Sequence, residues 1–299
     1  MNARTFAPAL AGALIMTLGA CAGPDDGAEA DGSDVQPVGA AAPTRTIKVL
    51  HWNVSGAVLN RGFNTVADKL IGEFDARRPD VISINEGCRD QVEYLRDRLR
   101  AKGFVATLQF APTGDNALCV RSFGTNTAQA GPAVIAVWGG VTGYNHYWKG
   151  TRSVDERTDR GMACISADFG KRVRFCSLHL ATGDAEAAAQ AESMLARFGQ
   201  SFRDAPAVLL GDFNAGPAFL RQNAPNLYAP AGQFFEIDSA RDQPTHGEGK
   251  LDYVFMSRDH FVDGGALEVK DMGRHDPWWG GERAYSDHRL MHGEITLKL

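Results

Sequence analysis

Residues 45–299 alternate short runs rich in β-branched and aromatic residues with a few longer amphipathic stretches, and this alternation strongly constrains the fold. The predicted strands are Thr46–Val54, Asp80–Asn85, Phe104–Phe110, Ala133–Trp138, Gly161–Asp168, Val173–Leu180, Ala207–Gly211, Leu251–Met256 and Leu290–Lys298. The predicted helices are Asn64–Arg77, Asp90–Lys102 and Asp184–Arg203. Many short strands with so few helices, ordered partly as strand–helix–strand units and partly as hairpins, predict an α/β (α+β) domain. We expect two mixed β-sheets packed together, with helices outside.

The composition fits a globular domain of this kind. Of the 299 residues, 44% are hydrophobic and 22% are charged, which excludes a disordered chain, a collagen-like repeat and a disulfide-dense miniprotein. We find no internal repeat and no second low-complexity break after residue 44. Residues 45–299 are therefore predicted to form one domain.

The first 21 residues read as a targeting segment. Arg4 precedes an uncharged apolar run, Phe6–Ala20, which is shorter than the roughly 20 residues of a membrane-spanning helix. The run ends in Leu18-Gly19-Ala20-Cys21, which resembles the lipobox of bacterial lipoproteins, where the signal is cleaved before a cysteine that is then lipid-modified. The alternative is an ordinary secretory signal that ends near a cysteine. Both predict export, with the chain either lipid-anchored at the cell membrane or extracellular.

Residues 22–44 lack aromatic and basic residues and contain five acids, so this segment is predicted to be a disordered tether. The formal net charge of −5 argues against a protein that coats nucleic acid electrostatically. Residues 1–44 hold one basic residue and those five acids, which leaves 30 basic and 31 acidic residues in the domain. The domain is thus nearly neutral, and its charge neither favours nor excludes a nucleic-acid substrate.

Four cysteines remain in the domain, and in an exported protein an even count favours two disulfides. The segments around Cys164 and Cys176 read as a hairpin turning at Gly170, which would place these two cysteines opposite each other. Cys88 and Cys119 would then form the second pair. The alternative is four free buried thiols.

Polar side chains stand where the predicted strands end. They are Asn53, Glu86, His179, Asp212, Asn214, Asp252 and the triplet Ser286-Asp287-His288. Clustered buried carboxylates repel one another unless a cation neutralises them or they share protons. Ligation by carboxylate and amide oxygens favours Mg²⁺, Mn²⁺ or Ca²⁺ over zinc.

The order of the motifs WN, NE, HL, GDFN, LDYVF and SDH resembles the endonuclease/exonuclease/phosphatase superfamily, whose fold is that of pancreatic-type deoxyribonuclease. The resemblance covers residues 45–299. It implies a four-layer sandwich of two packed mixed β-sheets flanked by helices. It also implies cleavage of phosphoester bonds with magnesium-type ions.

The resemblance further implies a role for each motif residue. Glu86 would be the main metal ligand, with Asn53 beside it and Asp287 as a further carboxylate. Asp252 would orient His288, which would act as general base or contact the scissile phosphate. The remaining roles are positioning of the attacking water and a phosphate oxygen by Asp212 and Asn214, stabilisation of phosphoryl charge or protonation of the leaving oxygen by His179, and contact with the phosphate by Arg160.

Each motif residue has a structural alternative. Asn53 could be a turn residue, Glu86 a solvated loop charge, Asp212 and Asp287 helix or turn caps, and His179 a core histidine. Their joint occurrence in family order favours the functional interpretation. The other histidines are predicted on the surface or in loops: His51, His146, His246, His260, His275 and His292. The clusters Tyr144–Trp148 and Trp278-Trp279 would form either substrate-binding rims or loop anchors.

Three functions are consistent with these residues. The first is a nuclease acting on DNA, with RNA as a further substrate, for which the loop cations Arg121, Lys149, Arg152, Arg157, Arg160 and Arg283 would meet phosphates. The second is a sphingomyelinase or phospholipase C-type enzyme, or another small-substrate phosphatase. The third is a surface binding protein on an inactive scaffold, which the complete catalytic set disfavours. No protein partner is indicated, and we expect a monomer.

Overall fold

The computed structural model describes residues 42–119, 128–138, 141, 147–149, 160–228, 230–276 and 281–299. The predicted signal segment, Cys21 and tether residues 22–41 lie outside the described residues. Strand β1 starts at Thr44, the last residue assigned to the tether. None of the helices in this described part of the chain combines the length and apolar character that a membrane span requires.

The described strands are β1 (Thr44–Asn53), β2 (Val81–Cys88), β3 (Thr107–Phe110), β4 (Gly114–Asp115), β5 (Gln129–Ala136), β6 (Tyr147–Lys149), β7 (Gly161–Asp168), β8 (Arg172–His179), β9 (Ala207–Asp212), β10 (Phe234–Glu236), β11 (Asp252–Ser257), β12 (Ala266–Lys270), β13 (Arg274–His275), β14 (Arg283–Ala284) and β15 (Leu290–Lys298). The helices are α1 (Thr65–Arg77), α2 (Arg89–Ala101), α3 (Asp184–Asp204) and α4 (Pro217–Asn223). Every strand and helix predicted from sequence overlaps one of these elements. The elements that the sequence missed are all short, with two to seven residues each: α4, β4, β6, β10 and β12–β14.

The strands form two mixed sheets, as the sequence predicted. The first sheet has the order β12-β15-β1-β2-β5-β3, with β4 also paired to β5, and the second has the order β10-β11-β9-β8-β7-β6. In each sheet one central pair is parallel, β1 with β2 and β8 with β9, and the neighbouring pairs are antiparallel. Strands β13 and β14 pair separately.

Three apolar clusters define the layers. The first lies between the sheets, where Val49 and Val134 of the first sheet share a cluster with Phe175 and Leu210 of the second. The second joins α1 and α2 to the outer face of the first sheet. The third joins α3 and α4 to the outer face of the second sheet. This helix–sheet–sheet–helix arrangement is the predicted four-layer sandwich.

Both predicted disulfides are present in the structure. Cys164 pairs with Cys176 across the β7–β8 hairpin, in the strand register that the turn at Gly170 predicts. Cys88, at the end of β2, is bonded to Cys119. The Cys88–Cys119 bridge starts two residues after Glu86, whereas the Cys164–Cys176 bridge lies within the paired strands of the hairpin.

Two of the histidines predicted on the surface or in loops are buried in strands, so that prediction was wrong for them. His51 is fully buried in β1, and His292 of β15 is 9% exposed. Both strands are interior to the first sheet, and β1 is covered on both faces by apolar clusters. His51 and His292 lie in the parts of these strands, residues 49–53 and 290–293, where every residue is buried, so alternation of polar and apolar residues did not place them.

Candidate active site

The polar strand ends converge at one edge of the sandwich. In the first sheet Asn53 pairs with Asn85 at the carboxyl ends of β1 and β2, and in the second His179 pairs with Asp212 at the ends of β8 and β9. Asp252, which begins the antiparallel strand β11, lies opposite Asp212. Because parallel neighbours end at the same edge, the two packed sheets bring these side chains together.

Asn53 and Glu86 form the first pair of the site. Asn53 Nδ2 donates to Glu86 Oε1 at 3.1 Å and to Asp212 Oδ2 at 3.0 Å. Glu86 has a φ of 55°, and the pairing of β2 with β5 shifts register between Ile84 and Gly87. A bulge of this kind turns a side chain that would otherwise follow the strand's alternation. The bulge lies at Glu86, which is the predicted main metal ligand.

Asn85, next to this pair, forms hydrogen bonds from the first sheet to the second. Its Oδ1 accepts from the backbone N–H of Asp212 at 2.7 Å, and its Nδ2 donates to Ser177 Oγ at 3.2 Å. The sequence analysis did not select Asn85. The signal for Asn85 is that the motif NEG places a further polar residue directly before Glu86 at the end of an apolar run.

Asp212 is buried among hydrogen-bond donors. Its Oδ1 accepts from the backbone N–H of Asn214 at 2.9 Å, while its Oδ2 is held by Asn53. Burial and the nearby charge of Asp252 raise the pKa of Asp212 to about 7. Asn214 has a φ of 49°, and its side-chain amide donates to Leu180 O at 2.9 Å, so it braces the GDFN turn.

Asp252 and His288 form a buried dyad. His288 Nδ1 donates to Asp252 Oδ2 at 2.7 Å, and Nε2 lies 3.6 Å from Asp212 Oδ2. Burial alone would lower the pKa of His288, but the negative charge of Asp252 outweighs it and raises that pKa to about 10. Burial opposes the charge on Asp252 as well, yet His288 holds the pKa of this carboxyl well below its usual range.

A second imidazole completes the environment of Asp252. His51 Nε2 donates to Asp252 Oδ1 at 3.0 Å, and His51 Nδ1 is hydrogen-bonded to Ser83 Oγ at 2.9 Å. Ser83 Oγ in turn contacts Ser177 Oγ at 2.9 Å. Sequence reasoning missed His51 because nothing in the sequence shows that β1 carries it to the same carboxylate as His288.

His179 lies on the other side of Asp212. Its Nε2 is 3.4 Å from Asp212 Oδ2 and 3.9 Å from Glu86 Oε1. The Arg160 guanidinium lies against the ring, with Nη1 2.8 Å from His179 Nδ1. Burial, followed by the positive charge of Arg160, holds the pKa of His179 well below its ordinary value. A neutral His179 beside a fixed guanidinium is suited to contact an anion.

Asp287 is the least enclosed of the predicted site residues. Its side chain is 55% exposed, and Oδ2 lies 3.7 Å from His246 Nε2. Within the described residues, the sets of three metal-binding side chains are His246, Asp287 and His288, and Asp212, Asp252 and His288. In the structure Asn53 is hydrogen-bonded to Glu86, whereas Asp287 lies beside His246 and His288. The sequence predicted no role for His246.

These donors fit a divalent cation on chemical grounds. Glu86 offers a half-exposed carboxylate, and buried Asp212 offers a second. Asn53 Nδ2 donates to both carboxylates, while Asn53 Oδ1 accepts from the N–H of Ser55. Oxygen donors of this kind suit a hard ion such as Mg²⁺, Mn²⁺ or Ca²⁺. The site can therefore hold such an ion without a change of ligand type.

A cavity of about 220 Å³ opens beside the site. Glu86, Arg160 and His179 form one side of it. The other lining residues are Ala57, Val58, Thr113, Asn116, Ala130 and Gly131. Because Val58 is 59% exposed, the outer wall of this cavity presents an apolar side chain to solvent.

Several residues named from the sequence lie beyond these contacts. Arg121, Arg152, Arg157, His146 and Trp278-Trp279 lie outside the described residues, and only the backbone is described for Tyr147–Lys149. His260 lies in the turn after β11, where it donates to Arg203 O at 2.8 Å. His275 stacks on Tyr285.

The model of the endonuclease/exonuclease/phosphatase family matches residues 50–288. This range holds every predicted metal, phosphate-contacting and catalytic residue, from Asn53 to His288. No curated protein matches the chain significantly.

Solved structures share the fold at low sequence identity. D. rerio TDP2 complexed with a single-strand DNA product is 15% identical, with 84% of this chain and 98% of that chain covered and a TM-score of 0.59. The human nocturnin catalytic domain with a bound sulfate anion is 16% identical, with 86% and 97% covered and a TM-score of 0.60. A mannosyl-6-phosphatase of Bacteroides thetaiotaomicron is 15% identical, with 83% and 99% covered and a TM-score of 0.58.

Proposed function

The chain belongs to the endonuclease/exonuclease/phosphatase family of phosphoester hydrolases, and we propose that it is an exported, divalent-metal-dependent phosphodiesterase of the deoxyribonuclease I-like type. The observation that carries the proposal is the convergence of three groups at one sheet edge. These groups are the Asn53–Glu86 pair, the buried Asp212, and the His288–Asp252 dyad. Phosphodiester hydrolysis needs a neutralised phosphate, a water in line and a proton acceptor, and these groups supply all three.

The cation's ligands would be Glu86 and Asn53, with Asp287 at the open rim. A divalent cation bound there would neutralise negative charge on the phosphoryl group. We propose Mg²⁺ as the physiological ion, with Mn²⁺ or Ca²⁺ able to replace it, because the carboxylates of Glu86 and Asp287 supply oxygen donors.

The attacking water and a phosphate oxygen would lie against Asp212 and His288, and not between these two side chains. Their facing atoms are 3.6 Å apart, and both side chains are held by further hydrogen bonds. His288, kept protonated by Asp252, would contact a phosphate oxygen, which is one of the two roles that the sequence analysis left open. Asp212 would orient the water and accept its proton, and its raised pKa supports this role near neutral pH.

Arg160 and His179 would hold the phosphoryl group from the opposite side. The Arg160 guanidinium already lies against the His179 ring. Its side chain would therefore lose little conformational freedom when it contacts the phosphoryl group. His179 would stabilise charge on the phosphate or protonate the leaving oxygen.

DNA is the substrate we propose first. A neighbour with the same fold, D. rerio TDP2, is described with a single-strand DNA product. The near-neutral charge of residues 45–299 is compatible with a polyanionic substrate once the acidic tether is set aside. Export, through Cys21 as a lipid anchor or as a secreted form, would place the enzyme outside the cell.

A second candidate, a small-substrate phosphatase, is favoured by the cavity beside Glu86. Its size and the exposed Val58 suit a compact phosphoester with an apolar part. A mannosyl-6-phosphatase shares the fold. A sphingomyelinase-type activity belongs to the same candidate class.

A substrate screen with matched variants tests the proposal. The full chain would be incubated with plasmid DNA, RNA, sphingomyelin vesicles, mannose 6-phosphate and bis(p-nitrophenyl) phosphate, each in Mg²⁺ and in excess EDTA. We expect Mg²⁺-dependent cleavage of DNA and of the model diester, and a loss of at least about 100-fold in turnover for His288→Ala and Glu86→Gln. His260→Ala, on the turn after β11, is the control. Turnover that persists in EDTA would refute the metal requirement, and preference for mannose 6-phosphate would select the second candidate.

A further inference from the structure

His246 introduces a nitrogen ligand next to two residues of the active site. It lies in the loop before β11, and its ring centroid is 4.6 Å from that of His288. One ligand atom from each of His246, Asp287 and His288 lies within 4.8 Å of the other two. Two imidazoles and one carboxylate form a ligand set different from the oxygen donors around Glu86.

The contact between His246 and Asp287 has the spacing of two ligands of one ion. His246 Nε2 is 3.7 Å from Asp287 Oδ2, which is too long for a hydrogen bond. Two ligands at the usual zinc distances in a tetrahedral site lie about 3.4 Å apart. The two atoms therefore need little movement to share a cation.

His288 is oriented as metal-binding histidines usually are. Its Nδ1 donates to Asp252 at 2.7 Å, which leaves Nε2 as the nitrogen that can ligate. A carboxylate on the far nitrogen fixes the ring and strengthens its basicity toward a metal. This contact is independent of His246 and Asp287.

The backbone holds the two histidines in place. Residues His246 and His288 form an isolated antiparallel bridge, and the N–H of Arg289 donates to Thr245 O at 2.7 Å. Thr245 is fully buried, and its hydroxyl accepts from the N–H of Asp252 at 2.9 Å. At the same time His246 and Asp287 are 42% and 55% exposed, so an ion can enter from solvent.

We propose that His246, Asp287 and His288 form a site for a zinc-class divalent ion, and that its occupancy inhibits the enzyme. Two imidazoles favour Zn²⁺ or Co²⁺ over Mg²⁺, so this site would select a different ion from the Asn53–Glu86 pair. On binding, the ion forms a bond to His288 Nε2, and any proton on that nitrogen is released to solvent. The same nitrogen is then unable to contact the phosphate. The inhibitory part of this proposal rests on the function proposed above.

Binding is tested with Co²⁺ alone as a spectroscopic probe. The full chain is titrated with Co²⁺ in millimolar Mg²⁺, and visible absorption reports nitrogen ligation. We expect one Co²⁺ bound by the wild type, and at least a tenfold weaker affinity in His246→Asn, since even outer partners of metal ligands contribute 10–100-fold. His260→Asn is the matched control and is expected to bind as the wild type does. Equal Co²⁺ affinity in the wild type and in His246→Asn would overturn the site.

Inhibition is tested with Zn²⁺ on the Mg²⁺-dependent hydrolysis of bis(p-nitrophenyl) phosphate. His246→Asn is expected to retain wild-type turnover in Mg²⁺ and to raise the half-inhibitory Zn²⁺ concentration at least tenfold. A half-inhibitory concentration that stays unchanged in His246→Asn, or Zn²⁺ that leaves turnover unaffected, would overturn the inhibitory role. If no substrate is turned over at all, the proposed function fails while the Co²⁺ titration still decides the site.

Discussion

His51 Nε2 donates to Asp252 Oδ1 at 3.0 Å, on the oxygen opposite the one bound by His288. Both histidine contacts are buried, and the carboxylate between them is fully buried as well. A buried carboxylate is stable as an anion only if its oxygens are bound by donors. His51 therefore stabilises the negative charge that orients His288, although the two histidines bind different oxygens of Asp252.

Replacing His51 should affect both stability and turnover. In His51→Leu, Asp252 Oδ1 loses its donor, and we expect the free energy of unfolding to fall by about 1–3 kcal/mol. We also expect kcat to fall with little change in KM, because His288 is less firmly oriented. Denaturant unfolding and steady-state kinetics measure the two effects.

Two further variants separate positioning from packing. His51→Gln keeps a donor that can reach Asp252 and should recover part of the turnover. His292→Leu alters a buried histidine of the adjacent strand, which has no hydrogen bond to Asp252, and should leave kcat near the wild type. If His51→Leu has wild-type kcat, the support we assign to His51 is wrong.

Gly211 permits the close approach of β9 to β8 just before Asp212. A Cβ at Gly211 would lie 2.0 Å from the backbone oxygen of Leu178, so Gly211→Ala must push the two strands apart. We expect a loss of about 3 kcal/mol or more in unfolding free energy, together with most of the turnover. Thermal or denaturant unfolding and a hydrolysis assay provide the measurement.

Gly72→Ala is the matched control for this glycine. Gly72 is exposed within α1, and a Cβ there would meet no atom within 4 Å. Alanine should raise the unfolding free energy by about 0.5–1 kcal/mol and leave turnover unchanged. A Gly211→Ala variant as active and stable as Gly72→Ala would contradict the tight strand contact.

The two disulfides should differ in their effect on activity. Each closes a loop, with sequence separations of 31 for Cys88–Cys119 and 12 for Cys164–Cys176, and loops of such lengths predict stabilisation of about 3 kcal/mol. Cys88 lies two residues after Glu86, at the end of the bulged strand. We expect Cys88→Ala/Cys119→Ala to weaken activation by Mg²⁺ as well as stability.

The hairpin disulfide provides the comparison. Cys164→Ala/Cys176→Ala should lower the unfolding free energy to a similar extent but retain the wild-type Mg²⁺ dependence. Mg²⁺ titrations of turnover on both double variants, at a temperature where both are folded, distinguish the cases. Identical Mg²⁺ curves for the two variants would argue against a link between Cys88 and Glu86.

The sequence predicted the layers and most of the polar strand ends for clear physical reasons. Periodicities of apolar residues locate long strands and helices, and a polar residue that ends an apolar run is expected at a strand end. The hairpin cysteines were predicted because Gly170 sets the register of β7 and β8. Such local signals depend only on neighbours in the chain.

The contacts that sequence reasoning missed are all long-range. His51 lies 201 residues from Asp252, and Asn85 lies 127 residues from Asp212. His246 is next to Asp287 only because the loop before β11 pairs with His288, two residues before β15. Local patterns in a single sequence do not show which strands become neighbours, so these partners become visible only in the folded topology.

His292 should make the stability of the metal-free protein depend on pH. Its side chain is nearly buried in β15, and its Nε2 has no hydrogen-bond partner among the described residues. Burial, with a contribution from the charge of Arg77, lowers the pKa of His292 below its ordinary value of about 6.5. The folded state therefore binds fewer protons than the unfolded chain at pH values between the lowered pKa and 6.5.

The stability that the folded protein owes to a neutral His292 is therefore present above about pH 6.5 and is lost as the pH falls through the lowered pKa of His292. We expect denaturant unfolding in EDTA to show a smaller loss of unfolding free energy between pH 7.5 and pH 5 in His292→Gln than in the wild type. Equal losses in the two proteins would show that His292 is protonated equally in the folded and unfolded states.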